Sequence, residues 1–243
     1  MKKMIALVLS VLFVLGCTAC AEMLSVGTNP EFAPFEYVGD DGAITGIDAD
    51  IIQAIAVELG YEGAEIQAMD FDALIPALVS GKIDCCIAGM TITEERKQSV
   101  LFSDPYYNAG QVIIVPAENA SVASAADLGG KKIGVQLGTT GDLYVTETYP
   151  DADVQRFTKA VDAVVDVANG RLDAVVLDAA PAKVYSGNTA GTAILDEVLS
   201  DEQYGIAMRL EDTELQANIN AALAKLTEDG TIGEIIAKYD TAE

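Results

Sequence analysis

Two short segments about ninety residues apart repeat one pattern, and this pattern limits the folds open to the chain. The segments are "SGKIDCCIAG" (80–89) and "NGRLDAVVLD" (169–178). Each has a helix-ending glycine, a basic residue, an aliphatic residue, an aspartate and a continuous apolar run. Apolar runs without polar alternation are typical of strands in a parallel sheet that helices cover on both faces. The repeat favours two similar lobes, with a chance match of two βα units as the alternative.

The segments around these runs have helical periodicity. In 48–59 apolar residues recur at helix spacing, with Asp48 as the predicted N-cap and Gly60 as the helix end. The same reasoning predicts helices at 71–79, 140–149, 159–168, 213–226 and 232–239, and strands at 23–28, 83–87, 132–135 and 172–177. Strands that alternate with helices predict an α/β fold with parallel strands, and 243 residues suffice for one large domain or two small ones.

The charge balance excludes some functions. The chain has 38 acidic and 14 basic residues, a net charge of −24 and no histidine. Such a surface repels phosphate backbones, so we expect no nucleic-acid partner. The lack of histidine removes the commonest general base and the commonest zinc ligand. The pattern predicts no metal site and no cofactor.

The first 21 residues are predicted to be an export signal. Two lysines precede an apolar stretch (4–15) that is too short to span a bilayer. "VLGC" (14–17) resembles a bacterial lipobox, which favours lipidation of Cys17, with Cys20 as the weaker alternative. "ACA" (19–21) also fits ordinary signal cleavage. The other two cysteines, Cys85 and Cys86, lie in an apolar run and are interpreted as buried hydrophobic residues.

Polar and small residues follow each predicted strand. In open parallel sheets ligands bind beyond the carboxyl ends of the strands, so these residues are candidates for a site. They are Asn29 and Phe32 after the first strand, Ala88, Gly89 and Thr91 after the second, Gln136 and "LGTTGD" (137–142) after the third, and Asp178 after the fourth.

Three of these features suit charged groups. The guanidinium of Arg96 fits a carboxylate at two points, although a surface ion pair with Glu94 or Glu95 is the alternative. "LGTTGD" places free N–H groups at a helix N-terminus, which suits an anion, with a simple Thr N-cap as the alternative. Asp178 follows four apolar residues and is interpreted either as a counter-charge for an ammonium group or as a helix cap.

Together these residues fit a free α-amino acid, which has one carboxylate and one ammonium group. Burying both charges is tolerable only if each is paired and hydrogen-bonded. Phe32 and Phe71 would add apolar walls.

Five segments resemble one protein family. "TNPEFAPFEY" (28–37), "GIDADIIQAIAVEL" (46–59), "AGMTITEERKQSVLFSDPYY" (88–107), "GTTGD" (138–142) and "VVLDAAPAKVY" (175–185) are similar to the extracellular solute-binding proteins of polar amino-acid ABC transporters, family 3. The resemblance implies a type II, periplasmic-binding-protein-like fold. In it two lobes, each a sheet flanked by helices, are joined by crossovers near 106–110 and 200–204. Lobe one would be 22–107 plus 204–243, and lobe two 108–203.

The resemblance also implies roles for single residues. Arg96 would clamp the α-carboxylate, with Gly89, Thr91 and Thr140 as further donors. The Ala88 carbonyl and Asp178 would hold the ammonium group, Phe32 and Phe71 would sandwich the side chain, and Asn29 and Gln136 would contact its head group. In the similar glutamine-binding and lysine/arginine/ornithine-binding proteins position 29 is aspartate. The uncharged Asn29 therefore favours glutamine or another neutral polar ligand, with a basic ligand second through Glu31, and cystine or histidine also open.

The implied protein is an exported monomer, periplasmic or tethered as a lipoprotein, that delivers a free amino acid to an ABC permease. It is not expected to be an enzyme. Two alternatives remain at this stage. One is an arogenate or prephenate dehydratase on the same fold, with an acid such as Glu31 in the cleft. The other is a sensory module that binds an amino acid without transport.

Overall fold

The computed structural model describes residues 22–118 and 120–239. The predicted export signal and the candidate lipidation sites Cys17 and Cys20 lie outside the described residues. Within these ranges, none of the helices combines the length and the apolar character needed to cross a bilayer.

The helices and strands alternate along most of the chain. The strands are β1 Met23–Thr28, β2 Glu31–Phe32, β3 Glu36–Val38, β4 Ile44–Thr45, β5 Gly63–Ala68, β6 Cys85–Cys86, β7 Val100–Phe102, β8 Tyr107–Ala109, β9 Gln111–Pro116, β10 Lys132–Gln136, β11 Asp153–Phe157, β12 Ala174–Asp178, β13 Thr192–Val198, β14 Glu202–Tyr204 and β15 Ala207–Arg209. The helices are α1 Ile47–Glu58, α2 Leu74–Val79, α3 Thr140–Thr148, α4 Ala160–Ala168, α5 Ala179–Asn188, α6 Thr213–Glu228 and α7 Thr231–Tyr239. Short 3₁₀ turns cover Phe71–Ala73, Arg96–Gln98 and Ala125–Asp127.

Two five-stranded sheets form the two lobes. The first has the order β5-β1-β6-β15-β7 and the second the order β11-β10-β12-β9-β13. The predicted parallel pairing holds for β1 with β5 and β6, and for β10 with β11 and β12. The remaining neighbouring pairs in each sheet are antiparallel. The sheets are therefore mixed, and the α/β, two-lobed architecture is confirmed.

The two strands β8 and β14 pair antiparallel between the lobes, with Tyr204 opposite Tyr107. They occupy the two segments for which crossovers were predicted. The lobe limits at 107/108 and 203/204 stay a prediction, because sheet membership does not define where a folding unit ends.

The repeated aspartates have the same structural role in both lobes. Ser25 N–H donates to the Asp84 carboxylate at 3.1 Å, and Asp84 N–H donates back to the Ser25 carbonyl at 2.8 Å. Lys132 and Asp173 make the same reciprocal pair at 2.9 and 2.8 Å. Each aspartate thus ties the start of a central strand, β6 or β12, to its parallel neighbour. The similarity between the two segments therefore extends to the structure.

Some predicted boundaries were wrong. The strand predicted at 83–87 is regular only at Cys85–Cys86, both of which are fully buried and free. The helix predicted at 71–79 begins as a 3₁₀ turn, and its α-helical part starts at Leu74. Helix α1 begins after Gly46, so Asp48 is not its N-cap. Its carboxylate lies in the core, as described below.

Candidate functional site

A small cavity lies where the strand ends of the two lobes meet. Its volume is about 10 Å³, room for about one water molecule. Ten residues line it: Phe32, Phe71, Ala88, Gly89, Thr91, Arg96, Gln136, Thr139, Thr140 and Asp178. The structure therefore brings together all the candidates from the sequence except Asn29, and adds Thr139.

Arg96 is buried at one end of the cavity. Its Nη1 donates to the Thr91 carbonyl at 2.7 Å and its Nη2 to the Gly138 carbonyl in the other lobe at 3.1 Å. The guanidinium lies over the Phe71 ring, 5.3 Å from its centroid. The surface-pair alternative is wrong, because Arg96 is 8% exposed and Glu94 pairs with Lys97 instead. Burial lowers the pKa of Arg96, an effect that the carboxylates of Asp178 and Glu202 oppose.

The N-cap interpretation of "LGTTGD" is confirmed, and the anion-site interpretation stays a prediction. Thr139 is the N-cap of α3, since its hydroxyl accepts from Asp142 N–H at 3.3 Å. Among the described residues, however, the N–H groups of Thr140 and Gly141 have no acceptor. They lie at the positive end of the helix dipole, where an anion is stabilised. The geometry of this turn is therefore compatible with an anion at the lobe-two edge of the cavity.

Asp178 supplies the opposite charge. It occupies the N-cap position of α5, but its side chain makes no capping hydrogen bond, so the helix-cap alternative is wrong. Tyr204 donates to its Oδ1 at 2.6 Å. Burial and the nearby carboxylate of Glu202 raise the pKa of Asp178 to about 6. A cationic group beside Asp178 would reverse this shift.

Glu202 accepts hydrogen bonds from two residues that line the cavity, and the sequence interpretation missed it. It is 8% exposed, and its Oε2 accepts from Thr91 Oγ1 at 2.7 Å and from Thr140 Oγ1 at 2.8 Å. Its Oε1 accepts from Ser200 Oγ at 2.7 Å. The surrounding "LSDEQY" (199–204) has the composition of a polar connection, so no local signal distinguishes this glutamate.

Asp48 holds the backbone of the cavity in place. Its Oδ2 accepts from Gly89 N–H at 2.7 Å and from the Tyr106 hydroxyl at 2.8 Å. Gly89 has a φ of +51°, and a Cβ there would lie 2.6 Å from the Phe32 ring. Only glycine therefore fits this approach of backbone to ring.

Glu36 lies beside Asp48, and both are fully buried. No donor among the described residues reaches Glu36 or Asp48 Oδ1. Burial and the Asp48 charge raise the pKa of Glu36 well above its usual range, whereas the pKa of Asp48 rises to about 6. A proton on Glu36 that is donated to Asp48 pairs one oxygen of each carboxyl group. No group of three or more acidic residues or cysteines in the described ranges is arranged to hold a metal ion.

The other end of the cavity presents an oxygen acceptor. Gln136 Nε2 donates to the Thr158 carbonyl at 3.1 Å and to Asn29 Oδ1 at 2.9 Å. Asn29 Nδ2 donates to the Met69 carbonyl at 3.0 Å. Because carbonyls only accept, these contacts fix both amide orientations. Asn29 therefore lies behind Gln136, and Gln136 Oε1 is left as the amide acceptor at this end.

The outer rim of the cavity has further contacts between the lobes. Lys159 forms an ion pair with Glu31 at 2.6 Å, with side-chain exposures of 49% and 31%. The Tyr185 hydroxyl accepts from Ala33 N–H at 3.2 Å and donates to the Glu31 carbonyl at 2.5 Å. Glu31 thus lies at the rim and does not line the cavity.

A family model confirms the resemblance seen in the sequence. Residues 24–242 match the model for bacterial extracellular solute-binding proteins, family 3. The chain belongs to this family. A relative is ABC transporter arginine-binding protein 1 of Escherichia coli, 34% identical over 97% of both chains. Another is the probable histidine-binding protein of Neisseria gonorrhoeae, 38% identical over 90% of this chain and 83% of that protein.

Solved structures of the family have the same fold. Arginine-bound, truncated ArgBP from T. maritima is 48% identical with a TM-score of 0.80, covering 84% of this chain and 96% of that one. An ancestral arginine-binding protein bound to glutamine is 46% identical with a TM-score of 0.85, covering 90% and 97%. An ancestral amino acid-binding protein, described as a precursor of cyclohexadienyl dehydratase, is 38% identical with a TM-score of 0.84, covering 89% and 95%.

Proposed function

We propose that this protein is the extracytoplasmic binding component of an ABC importer and holds a polar L-amino acid between its lobes. The observation that carries the proposal is the cavity that contains Arg96 from lobe one and Asp178 from lobe two. The guanidinium pairs with the α-carboxylate, and Asp178 pairs with the α-ammonium group. Because the two charges come from different lobes, capture of the ligand is linked to closure of the lobes.

We propose a donor-rich side chain for the ligand, with arginine first and glutamine second. Gln136 Oε1 faces the ligand as an acceptor, because both N–H groups of that amide are used within the protein. Phe32 and Phe71 line the cavity and suit a planar guanidinium. Several relatives are named as arginine-binding proteins, which supports arginine first, and one ancestral relative has a structure bound to glutamine. The preference for a neutral ligand, drawn from the uncharged Asn29, stays unconfirmed.

Titration calorimetry with L-arginine, L-lysine, L-histidine, L-cystine and L-glutamine tests the proposal. We expect L-arginine to bind most tightly. Agmatine, which lacks the carboxylate, and N-acetyl-L-arginine, which lacks the ammonium group, should each bind at least about a hundredfold more weakly, because a buried charge is then left unpaired. Tighter binding of glutamine would reverse the order of ligands, and equal binding of agmatine would refute the carboxylate clamp.

We further propose that the protein is an exported monomer that passes its ligand unchanged to a membrane permease. The dehydratase alternative needs a free acid in the cleft, and its candidate Glu31 is held at the rim by Lys159. Mass spectrometry of arogenate incubated with the protein should show no phenylalanine. Formation of phenylalanine would favour the enzyme instead.

A further inference from the structure

Glu202 accepts hydrogen bonds from three hydroxyl groups that lie in three parts of the molecule. Thr91 belongs to lobe one, Thr140 to helix α3 of lobe two, and Ser200 to the segment between the lobes. A carboxylate has no proton to give, so each of these hydroxyls acts as the donor. Thr91 and Thr140 both line the cavity. Each therefore directs its only hydroxyl proton toward Glu202 and away from a ligand.

A second contact fixes the direction at Thr140. Gln111 Nε2 lies 3.2 Å from Thr140 Oγ1, and an amide nitrogen only donates. The same side chain also donates to Asp178, which lowers the pKa of that carboxyl and agrees with this amide orientation. Thr140 thus accepts from Gln111 and donates to Glu202. Its hydroxyl has no second proton for a ligand carboxylate.

Glu202 is also held where it is. Ser200 Oγ, which donates to Glu202 Oε1, accepts from Gln111 N–H at 3.0 Å. If a ligand carboxylate displaced Glu202, a buried charge would lose its hydrogen bonds, which is costly. The N–H groups of Thr91, Thr140 and Gly141 have no acceptor among the described residues, so a carboxylate finds donors without displacing Glu202.

We propose that Glu202 is a positioning residue of the binding site. It accepts the hydroxyl hydrogen bonds of Thr91 and Thr140 and so connects the two lobes behind the ligand carboxylate. The carboxylate is then bound by Arg96 and main-chain N–H groups, and the threonine hydroxyls act only through Glu202. This differs from the direct donor role that the family resemblance implied for Thr91 and Thr140. The inference rests on the proposed function.

A double-mutant cycle tests this assignment. The affinity for L-arginine is measured by calorimetry for the wild type, Thr140→Val, Glu202→Met and the double variant, because both substitutions roughly conserve volume. Thr140→Val alone should weaken binding about fivefold, the worth of one net hydrogen bond. If Thr140 acts through Glu202, the same substitution in the Glu202→Met background should weaken binding by less than about twofold.

Thr146→Val is the matched control. Thr146 lies on the same helix, and its hydroxyl also donates to a carboxylate, Asp142 Oδ1 at 3.1 Å, but outside the cavity. Its substitution should leave the affinity unchanged in both backgrounds. Thermal melting checks that every variant is folded. If Glu202→Met does not fold, the cycle uses Glu202→Leu, which also lacks an acceptor for the Thr140 hydroxyl and should reduce the Thr140→Val effect in the same way.

Each outcome separates a direct role of the hydroxyl from an indirect one. A fivefold loss on Thr140→Val that persists in the Glu202-substituted background would mean that the hydroxyl contacts the ligand directly, and would overturn the proposal. No loss on Thr140→Val in the wild type would also overturn it. Normal wild-type binding with either result leaves the proposed function intact, whereas a wild-type protein that binds no amino acid would refute both.

Discussion

At the scale of single residues, Arg96 is a buried cation without a carboxylate hydrogen-bonded to it in the described structure. Its guanidinium donates hydrogen bonds to two carbonyl groups, one in each lobe. A ligand carboxylate beside it would complete an ion pair in a dry site. Removing one partner of such a pair typically costs about 3–5 kcal/mol.

Arg96→Ala should therefore weaken L-arginine binding by at least about a hundredfold in calorimetry. Arg171→Ala is the control, because Arg171 pairs with Asp166 on the surface and is 59% exposed. That variant should bind like the wild type. An Arg96→Ala protein that stays folded and loses less than about threefold would contradict the carboxylate clamp.

The affinity should depend on pH through Asp178. Its pKa is about 6 in the empty protein because burial disfavours the charged form. The ammonium group needs the ionised form, so the affinity is complete only at a pH about one unit or more above 6. Below pH 6, the affinity should fall about tenfold per pH unit.

Calorimetry between pH 5 and 8 measures this dependence. Asp48 has a pKa of about 6 as well, so the comparison with Asp178→Asn identifies the responsible group. The variant should bind weakly with little pH dependence in this range. An unchanged pH profile in Asp178→Asn would assign the dependence elsewhere.

Glu36 gives a pH dependence of the opposite sign, in this case for the stability of the folded protein, which decreases as the pH rises. Its pKa in the folded protein is raised by burial and by Asp48, so the folded state holds a proton that the unfolded chain releases. The stability contribution is complete below the unfolded pKa and is lost as the pH rises toward the folded pKa. Glu36→Gln keeps a donor for Asp48 and removes this loss.

Thermal melting from pH 4 to 8 should show a higher melting temperature for Glu36→Gln than for the wild type at pH 8. A stability difference of about 1 kcal/mol corresponds to a shift of a few degrees. The difference should shrink toward pH 4. Glu228→Gln, at an exposed position, is the control with no such trend. A constant difference at every pH would show that Glu36 is not the titrating group.

At the scale of elements, two glycines in or beside helices should respond in opposite directions. Gly46 precedes α1 with a φ of +128°, and a Cβ there would lie 2.2 Å from the Phe35 carbonyl oxygen. Gly233 lies within α7 and is exposed, and a Cβ there would meet no atom within 4 Å. The first position requires glycine, and the second does not.

Gly46→Ala should lower the melting temperature by several degrees, because backbone strain and a main-chain clash both oppose the side chain. Gly233→Ala should raise the free energy of unfolding by about 0.5–1 kcal/mol, since alanine loses less backbone freedom in a helix. Thermal melting measures the first effect, and chemical denaturation measures the second. A tolerated Gly46→Ala would mean that the start of α1 shifts easily.

At the scale of the whole molecule, the lobes are held together by contacts of unequal worth. The Lys159–Glu31 pair is half exposed, and such pairs contribute about 0–1 kcal/mol. The buried contacts of Arg96 with Gly138, and of Gln136 with Asn29, lie deeper and are screened less by water. Closure should therefore depend on the inner contacts.

Lys159→Ala should change L-arginine affinity by less than about fivefold, and the difference should decrease in high salt. The radius of gyration from small-angle X-ray scattering should be the same as that of the wild type at saturating L-arginine. A loss of more than about a hundredfold would show that the rim pair controls closure.

The sequence by itself determined the fold class and most of the candidate site. Continuous apolar strands between helices specify an α/β fold, because only a sheet covered on both faces buries such strands. The strand ends then place Arg96, "GTTGD" and Asp178 at one edge. These signals are local, so they can be read from neighbouring residues along the chain.

Only the tertiary structure decided how the polar groups are partnered. Asp48 was assigned to a helix cap, yet it binds Gly89 and Tyr106, which are about forty and sixty residues away in sequence. Glu202 meets Thr91 and Thr140 across both lobes, and nothing near it in the sequence marks that role. Hydrogen bonds of buried side chains depend on which distant segments pack together, and apolar periodicity does not encode that pairing.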